Sequence, residues 1–166
     1  MKKLLLGIAA VCLAGFTFAQ DAPLWMRHSV ISPDGTTIAF TYKGDIYTVP
    51  VAGGRAMQIT TNPAYDTAPV WSPDSKRIAF ASDRMGSLDV YIVAKDGGEP
   101  RRLTTHSGSE TPLAFTDAGH VLFSAGIMPS AEAVVFPSNG QFNQVYRVSV
   151  EGGRPTMISS MPMECI

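Results

Sequence analysis

Ser32-Pro33-Asp34 returns forty residues later as Ser72-Pro73-Asp74, so a serine hydroxyl twice stands two residues from an aspartate. With His28, His106 and His120, these are the residue types of a nucleophilic hydrolase, in which a base takes the hydroxyl proton and a carboxylate orients the base. That chemistry needs the base within hydrogen-bond reach of the nucleophile, and the three histidines fall at unlike positions relative to the recurring serines. No G-x-S-x-G elbow occurs anywhere in the chain. Metal patterns are missing as well. No two histidines lie three to five residues apart, and no acidic run has calcium-loop spacing. The glycine pairs do not stand between a strand and a helix, as a phosphate loop requires. No catalytic residue, cofactor or metal site is therefore expected in this chain. The recurring Ser-Pro-Asp is read as a structural turn.

The elements that carry these residues repeat as whole units. Tyr47, Tyr91 and Tyr146 sit in "DIYTV", "DVYIV" and "QVYRV", and a Gly-Gly pair begins six residues later at Gly53, Gly97 and Gly152. Six further residues lead to "ITT", "LTT" and "ISS" at Ile59, Leu103 and Ile158. Asp34, Asp74 and Asp117 each precede an apolar "IAF", "IAF" or "VLF" by the same offset. Within the second copy, 68–72, 77–82, 89–94 and 101–105 are rich in β-branched and aromatic residues and bounded by Pro, Gly, Asp and Ser. Beyond the first twenty residues, no segment has helical apolar spacing over ten residues or more. A four-stranded unit recurring every forty-odd residues predicts an all-β fold of β-propeller blades, at about 29–61, 68–105 and 112–160. Propellers close with roughly four to eight blades, so three copies predict an incomplete propeller and a piece of a longer product.

The turns have individual reasons. Pro33 presets the backbone angle of the second position of a type I turn, Ser32 can accept a bond at the first, and Gly35 fits the fourth. In the "DGG" hairpin, Asp96 and Gly97 are expected to take positive backbone angles. Trp71, Phe80, Phe123 and the three repeat tyrosines are expected to pack between blades rather than to form a ligand box.

Of 166 residues, 45% are hydrophobic and 16% charged, the composition of a globular protein. Residues 1–19 carry Lys2 and Lys3, an apolar run from Leu4 and small residues up to Ala19, the layout of a secretory signal peptide cleaved after Ala19. The expected location is periplasmic or secreted. Without those residues 11 basic side chains face 14 acidic ones, which excludes a nucleic-acid surface built on clustered positive charge. Cys12 leaves with the leader, so Cys165 has no partner and no disulfide framework is expected. No membrane contact beyond the leader is predicted.

The stretch "SPDSKRIAFASDRMGSLDVYIVAKDGGEPRRLT" resembles the WD-like propeller repeats of the tricorn protease and TolB families. The opening "PLWMRHSVISPDGTTIAFTYKGDIYTVPVAGGRAMQIT", directly after the leader, is similar to the first blade of an exported tricorn-type peptidase. The resemblance covers about 24–166 and is weakest in the third copy, where "AFTDAG" replaces the Ser-Pro-Asp motif. It implies non-catalytic blades acting in substrate gating or peptide and protein binding. It further implies that more blades, a PDZ-like module and a serine peptidase domain follow. A TolB-like envelope scaffold without an enzyme is the alternative, and the propeller of a prolyl-oligopeptidase-type hydrolase is another. The expected partners are a peptide or protein substrate, or the downstream blades and peptidase.

In such a blade, the first-to-second and third-to-fourth turns share one face, while the second-to-third turn and the blade-to-blade link share the other. The first face is nearly uniform. The second varies, with "YKG", "DRMGSL" and about twenty residues from Ser124 to Asn143 as its second-to-third connections. Varied loops on a repeated scaffold are where recognition is usually placed. Asp66, Arg84 and His106 are the candidate ligand-face loop residues, with bracing of loops or neighbouring blades as the competing role for Asp66 and Arg84. "AVVFP" at 133–137 is expected to add a short strand or cover an edge.

Overall fold

Each copy folds as one antiparallel meander. The computed structural model describes residues 25–126 and 143–158. The leader, the Ala19 cleavage position, residues 133–137 and Cys165 lie outside the described residues. The first sheet holds β1 (Arg27–Ile31), β2 (Thr37–Tyr42), β3 (Asp45–Pro50) and β4 (Met57–Gln58). In the second are β5 (Asp66–Trp71), β6 (Arg77–Ser82), β7 (Asp89–Ala94) and β8 (Arg101–Arg102). The third is formed by β9 (Glu110–Asp117), β10 (His120–Ala125), β11 (Gln144–Ser149) and β12 (Thr156–Met157). No helix occurs among the described residues.

Each sheet starts two residues before the expected blade boundary, at Arg27, Asp66 and Glu110. The reason is a bulge in every first strand. Register shifts between Arg27 and Val30 and between Thr67 and Val70, and the equivalent His28 and Ala68 take positive φ of 51° and 50°. An extra residue breaks the period-2 alternation by which a strand is recognised in sequence, so the residues ahead of it look like loop. The last strands are shorter than expected, pairing through two residues each. There a threonine takes over the ladder. Leu103 N–H donates to Val90 O at 2.8 Å while Val90 N–H donates to Thr104 Oγ1 at 2.9 Å, and Ile59, Ile46 and Thr60 repeat the arrangement. This is the physical content of the "ITT" and "LTT" landmarks.

The sheets stack face to face. β5 packs against β1 on one side and β9 on the other. Trp71, Ile78, Phe80, Tyr91 and Val93 of the second sheet pack with Ala39, Ile46 and Ile59 of the first blade. The alternate residues Ala79, Val90 and Ile92 meet Val121, Phe123, Tyr146 and Val148 of the third. A Phe and a Tyr opposite each other stack in every sheet, at 5.8, 6.0 and 5.5 Å between ring centres for Phe40–Tyr47, Phe80–Tyr91 and Phe123–Tyr146. Phe80 and Phe123 are fully buried, and each contributes about 2–3 kcal/mol by leaving water. Trp71, Phe80, Tyr91, Phe123 and Tyr146 therefore pack between blades, whereas Phe40 and Tyr47 lie on the opposite face of the first sheet, away from the second.

The Ser-Pro-Asp turns are organised by their carboxylates. Gly35 N–H donates to Ser32 O at 2.8 Å, and Asp34 Oδ1 accepts from Ser32 Oγ at 2.6 Å and from Thr36 N–H at 2.9 Å. Asp74 repeats this with Ser72 Oγ at 2.6 Å and Lys76 N–H at 3.1 Å. These bonds, led by the serine, hold both carboxyls below the ordinary aspartate range. In the Gly-Gly hairpins the positive angles belong to both glycines, φ +92° at Gly97 and +117° at Gly98, rather than to Asp96 and Gly97. Gly97 N–H closes an ordinary turn on Ala94 O at 3.0 Å, which leaves Asp96 inside it and pushes the left-handed angles one residue on.

Candidate functional site

Hydrogen bonds between connections separate the two ends of the stack. At one end, Val51 N–H donates to Thr36 O at 2.9 Å, Lys95 N–H to Lys76 O at 2.9 Å and Val150 N–H to Gly119 O at 2.8 Å, tying each first turn to the third. At the other, Asp66 N–H donates to Gly44 O and Glu110 N–H to Leu88 O, both at 2.7 Å, tying each blade link to the second turn of the blade before it. The connections of differing length at 43–44 and 83–88 belong to this second end, while most of the Ser124–Asn143 connection lies outside the described residues.

Asp66, expected on a loop, opens β5 and is fully buried. Arg84 follows β6 and reaches back to it, with Nη2 at 3.1 and 3.0 Å from the two carboxylate oxygens and Nε donating to Ser82 Oγ at 2.8 Å. Its guanidinium lies 4.5 Å from the Tyr91 ring centre and 5.6 Å from that of Phe80. The cation is thus held by a carboxylate and a hydroxyl at its edge and rests near two aromatic rings, the geometry of a brace at the first seam. His106 sits at the next seam, on the connection from β8 to β9, with its backbone oxygen accepting from Ser87 Oγ at 3.3 Å. Its Nδ1 accepts from Gly108 N–H at 3.0 Å. The structure brings Asp66 and Arg84 together and leaves His106 apart.

The other two histidines are equally scattered. His28 Nδ1 lies 3.1 Å from Thr67 Oγ1 across the first seam, and His120 Nδ1 lies 3.0 Å from Asp117 Oδ1 in the third-sheet turn. Among the described residues, no three His, Cys, Asp or Glu side chains converge as a metal site.

Two further constellations escaped the sequence reading. At the second seam, Asp89 and Glu110 are 0% and 1% exposed, and Arg102 Nη2 stands 2.8 Å from Asp89 Oδ2. Glu110 lies beside Thr104 and Asp89 but has no well-aligned donor for either oxygen, and burial above all pushes its carboxyl up to about 7. At the first seam the counterpart of Asp89 is Asp45, whose carboxyl is raised by burial first and by the neighbouring Asp66 charge second. The signal was present in the repeat alignment. An acid opens the third strand of one copy (Asp45, Asp89) and the first strand of the next (Asp66, Glu110), a coincidence that only a folded seam makes meaningful. The second constellation is a cavity of about 450 Å³ lined by Trp25, Arg27, Thr41, Lys43, Gly44 and Tyr65.

Residues 23–164 match the family model of the tricorn protease N-terminal beta propeller domain. A tricorn protease homolog of Streptomyces coelicolor is 35% identical over 102 residues, 61% of this chain and 9% of that protein. An uncharacterized peptidase of Bacillus subtilis, YuxL, is 30% identical over 129 residues, 76% of this chain and 20% of that protein. Among solved structures, TolB from Acinetobacter baumannii superposes with a TM-score of 0.64 at 21% identity, covering 81% of this chain and 32% of its own, a likeness of fold. The chain thus spans a fifth or less of the length of these two curated relatives.

Proposed function

This chain belongs to the tricorn protease N-terminal β-propeller family, and on that premise we propose that it supplies peptide-facing blades to an exported serine peptidase. Its part is to admit and hold substrate rather than to break bonds. The observation that supports this reading is the contrast between the two ends of the stack. One end repeats the same carboxylate-centred turns, while at the other, among the described residues, the first two blades present different connections beside buried charged seams. A uniform end serves the fold, and a varied end on a rigid scaffold serves recognition. The leader-like first 19 residues support a periplasmic or secreted location. Peptides or proteins are the proposed partners, along with further blades and a peptidase domain encoded beyond Ile166.

The likeness to TolB favours a second reading, an envelope interaction scaffold with no enzyme attached. The intact mass of the protein from its native source separates them. A product several times heavier than 17.8 kDa, reactive toward a serine-directed fluorophosphonate, supports the peptidase reading. A mass near that of the mature chain sinks it and leaves the scaffold.

A further inference from the structure

The cavity lined by Arg27 and Lys43 lies at the varied end, where the turn from β2 to β3 meets the link into β5. Its chemistry is lopsided. Neither Arg27 nor Lys43 pairs with a carboxylate among the described residues. Each cation instead rests near an aromatic ring, Arg27 at 5.8 Å from Trp25 and Lys43 at 5.3 Å from Tyr42. Thr41, 3% exposed, contributes a buried hydroxyl with no hydrogen-bond partner. A buried hydroxyl left without a partner is costly, and a ligand acceptor would recover that cost.

The aromatic wall opposite is fixed by the backbone. Tyr65 N–H donates to Asp83 Oδ1 at 2.7 Å, and Asp66 N–H donates to Gly44 O at 2.7 Å, so the link and the turn move as one. Gly44 takes φ +89°, and a Cβ there would stand 3.6 Å from the Tyr65 ring, in van der Waals contact with the wall. Unpaired cations at the rim, a donor within and aromatic surface around them suit an anionic group on an apolar body.

We infer that this cavity binds a carboxylate carried on an apolar peptide segment, with Arg27 and Lys43 as counter-charges and Thr41 as hydrogen-bond donor. The inference rests on the peptide-binding reading of these blades and names the site and ligand chemistry within it. The carboxylate comes from an acidic side chain or from a chain terminus.

Calorimetric titration of the full-length protein, with serine-peptidase activity chemically blocked, tests this with three five-residue peptides. One is capped at both ends with a glutamate between two phenylalanines, the second replaces that glutamate by glutamine, and the third is the glutamine peptide with a free carboxyl terminus. A carboxylate peptide should bind about tenfold or more tighter than the capped glutamine peptide at low salt, and the peptide that does so identifies the source. Arg27→Gln and Lys43→Asn should each remove most of that preference while leaving the capped glutamine peptide unchanged. Asn suits position 43, where φ is +52°. Thr41→Val should weaken the carboxylate peptides by a smaller factor. If the preference survives in the Arg27→Gln, Lys43→Asn double variant, this site is wrong while peptide binding stands. If none of the three peptides binds, both readings fall together.

Discussion

Replacing Glu110 by glutamine should abolish a pH dependence built into the second seam. Glu110 is buried between the second and third sheets beside Asp89, whose closest cation, Arg102 at 2.8 Å, is taken up by Asp89 itself. Burial lifts the Glu110 carboxyl from 4.5 to about 7. The folded protein therefore holds this proton more tightly than the unfolded chain. The stabilisation is complete below pH 4.5 and is lost as pH rises through 7. A rise of that size corresponds to on the order of 3 kcal/mol between the protonated and ionised limits, or roughly a few hundredfold in the opening equilibrium. Glu110→Gln fixes a neutral side chain of nearly the same shape. Hydrogen exchange of the amides of β9 and β10, compared between wild type and variant at each pH, cancels the intrinsic chemistry of exchange. The ratio should be near one at about pH 4, with wild type opening about a few hundredfold more often at about pH 8. An unchanged ratio across that range, or a variant that opens more at pH 8, would refute a buried proton at Glu110.

Three other perturbations probe separate parts of the fold. Asp66→Ala leaves Arg84 buried without its counter-charge and should cost about 3–5 kcal/mol; the Asp66→Ala, Arg84→Met pair should melt at a higher temperature than Asp66→Ala alone. Asp34 and Asp74 stand at the uniform end, so the Asp34→Asn, Asp74→Asn double variant should keep full peptide affinity. In wild type the Thr36 amide resonance should titrate with a midpoint below 3.8, because Asp34 stays ionised until its turn bonds are outcompeted and their stabilisation is lost only as pH falls through that point. Gly97→Ala forces a side chain into φ +92° with its Cβ 3.7 Å from Ile59 O, and should destabilise by roughly 1–2 kcal/mol in thermal unfolding.

The blade architecture was legible because its causes are local and repeated. Turn chemistry at Ser32-Pro33-Asp34, the glycine pairs at Gly53, Gly97 and Gly152, and alternating apolar residues flanking Tyr47, Tyr91 and Tyr146 each act within a few residues. Three copies in register then remove the ambiguity of any one. What escaped were effects that cross the period. The bulges at His28 and Ala68 hid the true starts of β1 and β5, because one inserted residue reverses the alternation. In the hairpins, the sequence pointed to Asp96 where the backbone turned at Gly98.

Charge placement divides the same way. Strand count alone fixes which turns share a face, and so places Asp66, Arg84 and His106 at the varied end. That Asp66 and Arg84 clasp each other while His106 stands apart, and that Asp89 meets Glu110, or Arg27 meets Lys43, follows from the packed sheets and not from the chain. The reason is that side chains distant in the chain meet at or beside seams whose width and dielectric are set by the packing of Phe80, Tyr91, Phe123 and their neighbours. Spacing along the chain carries no measure of that burial, and it is burial that turns an acid at a strand's beginning into a proton-holding group.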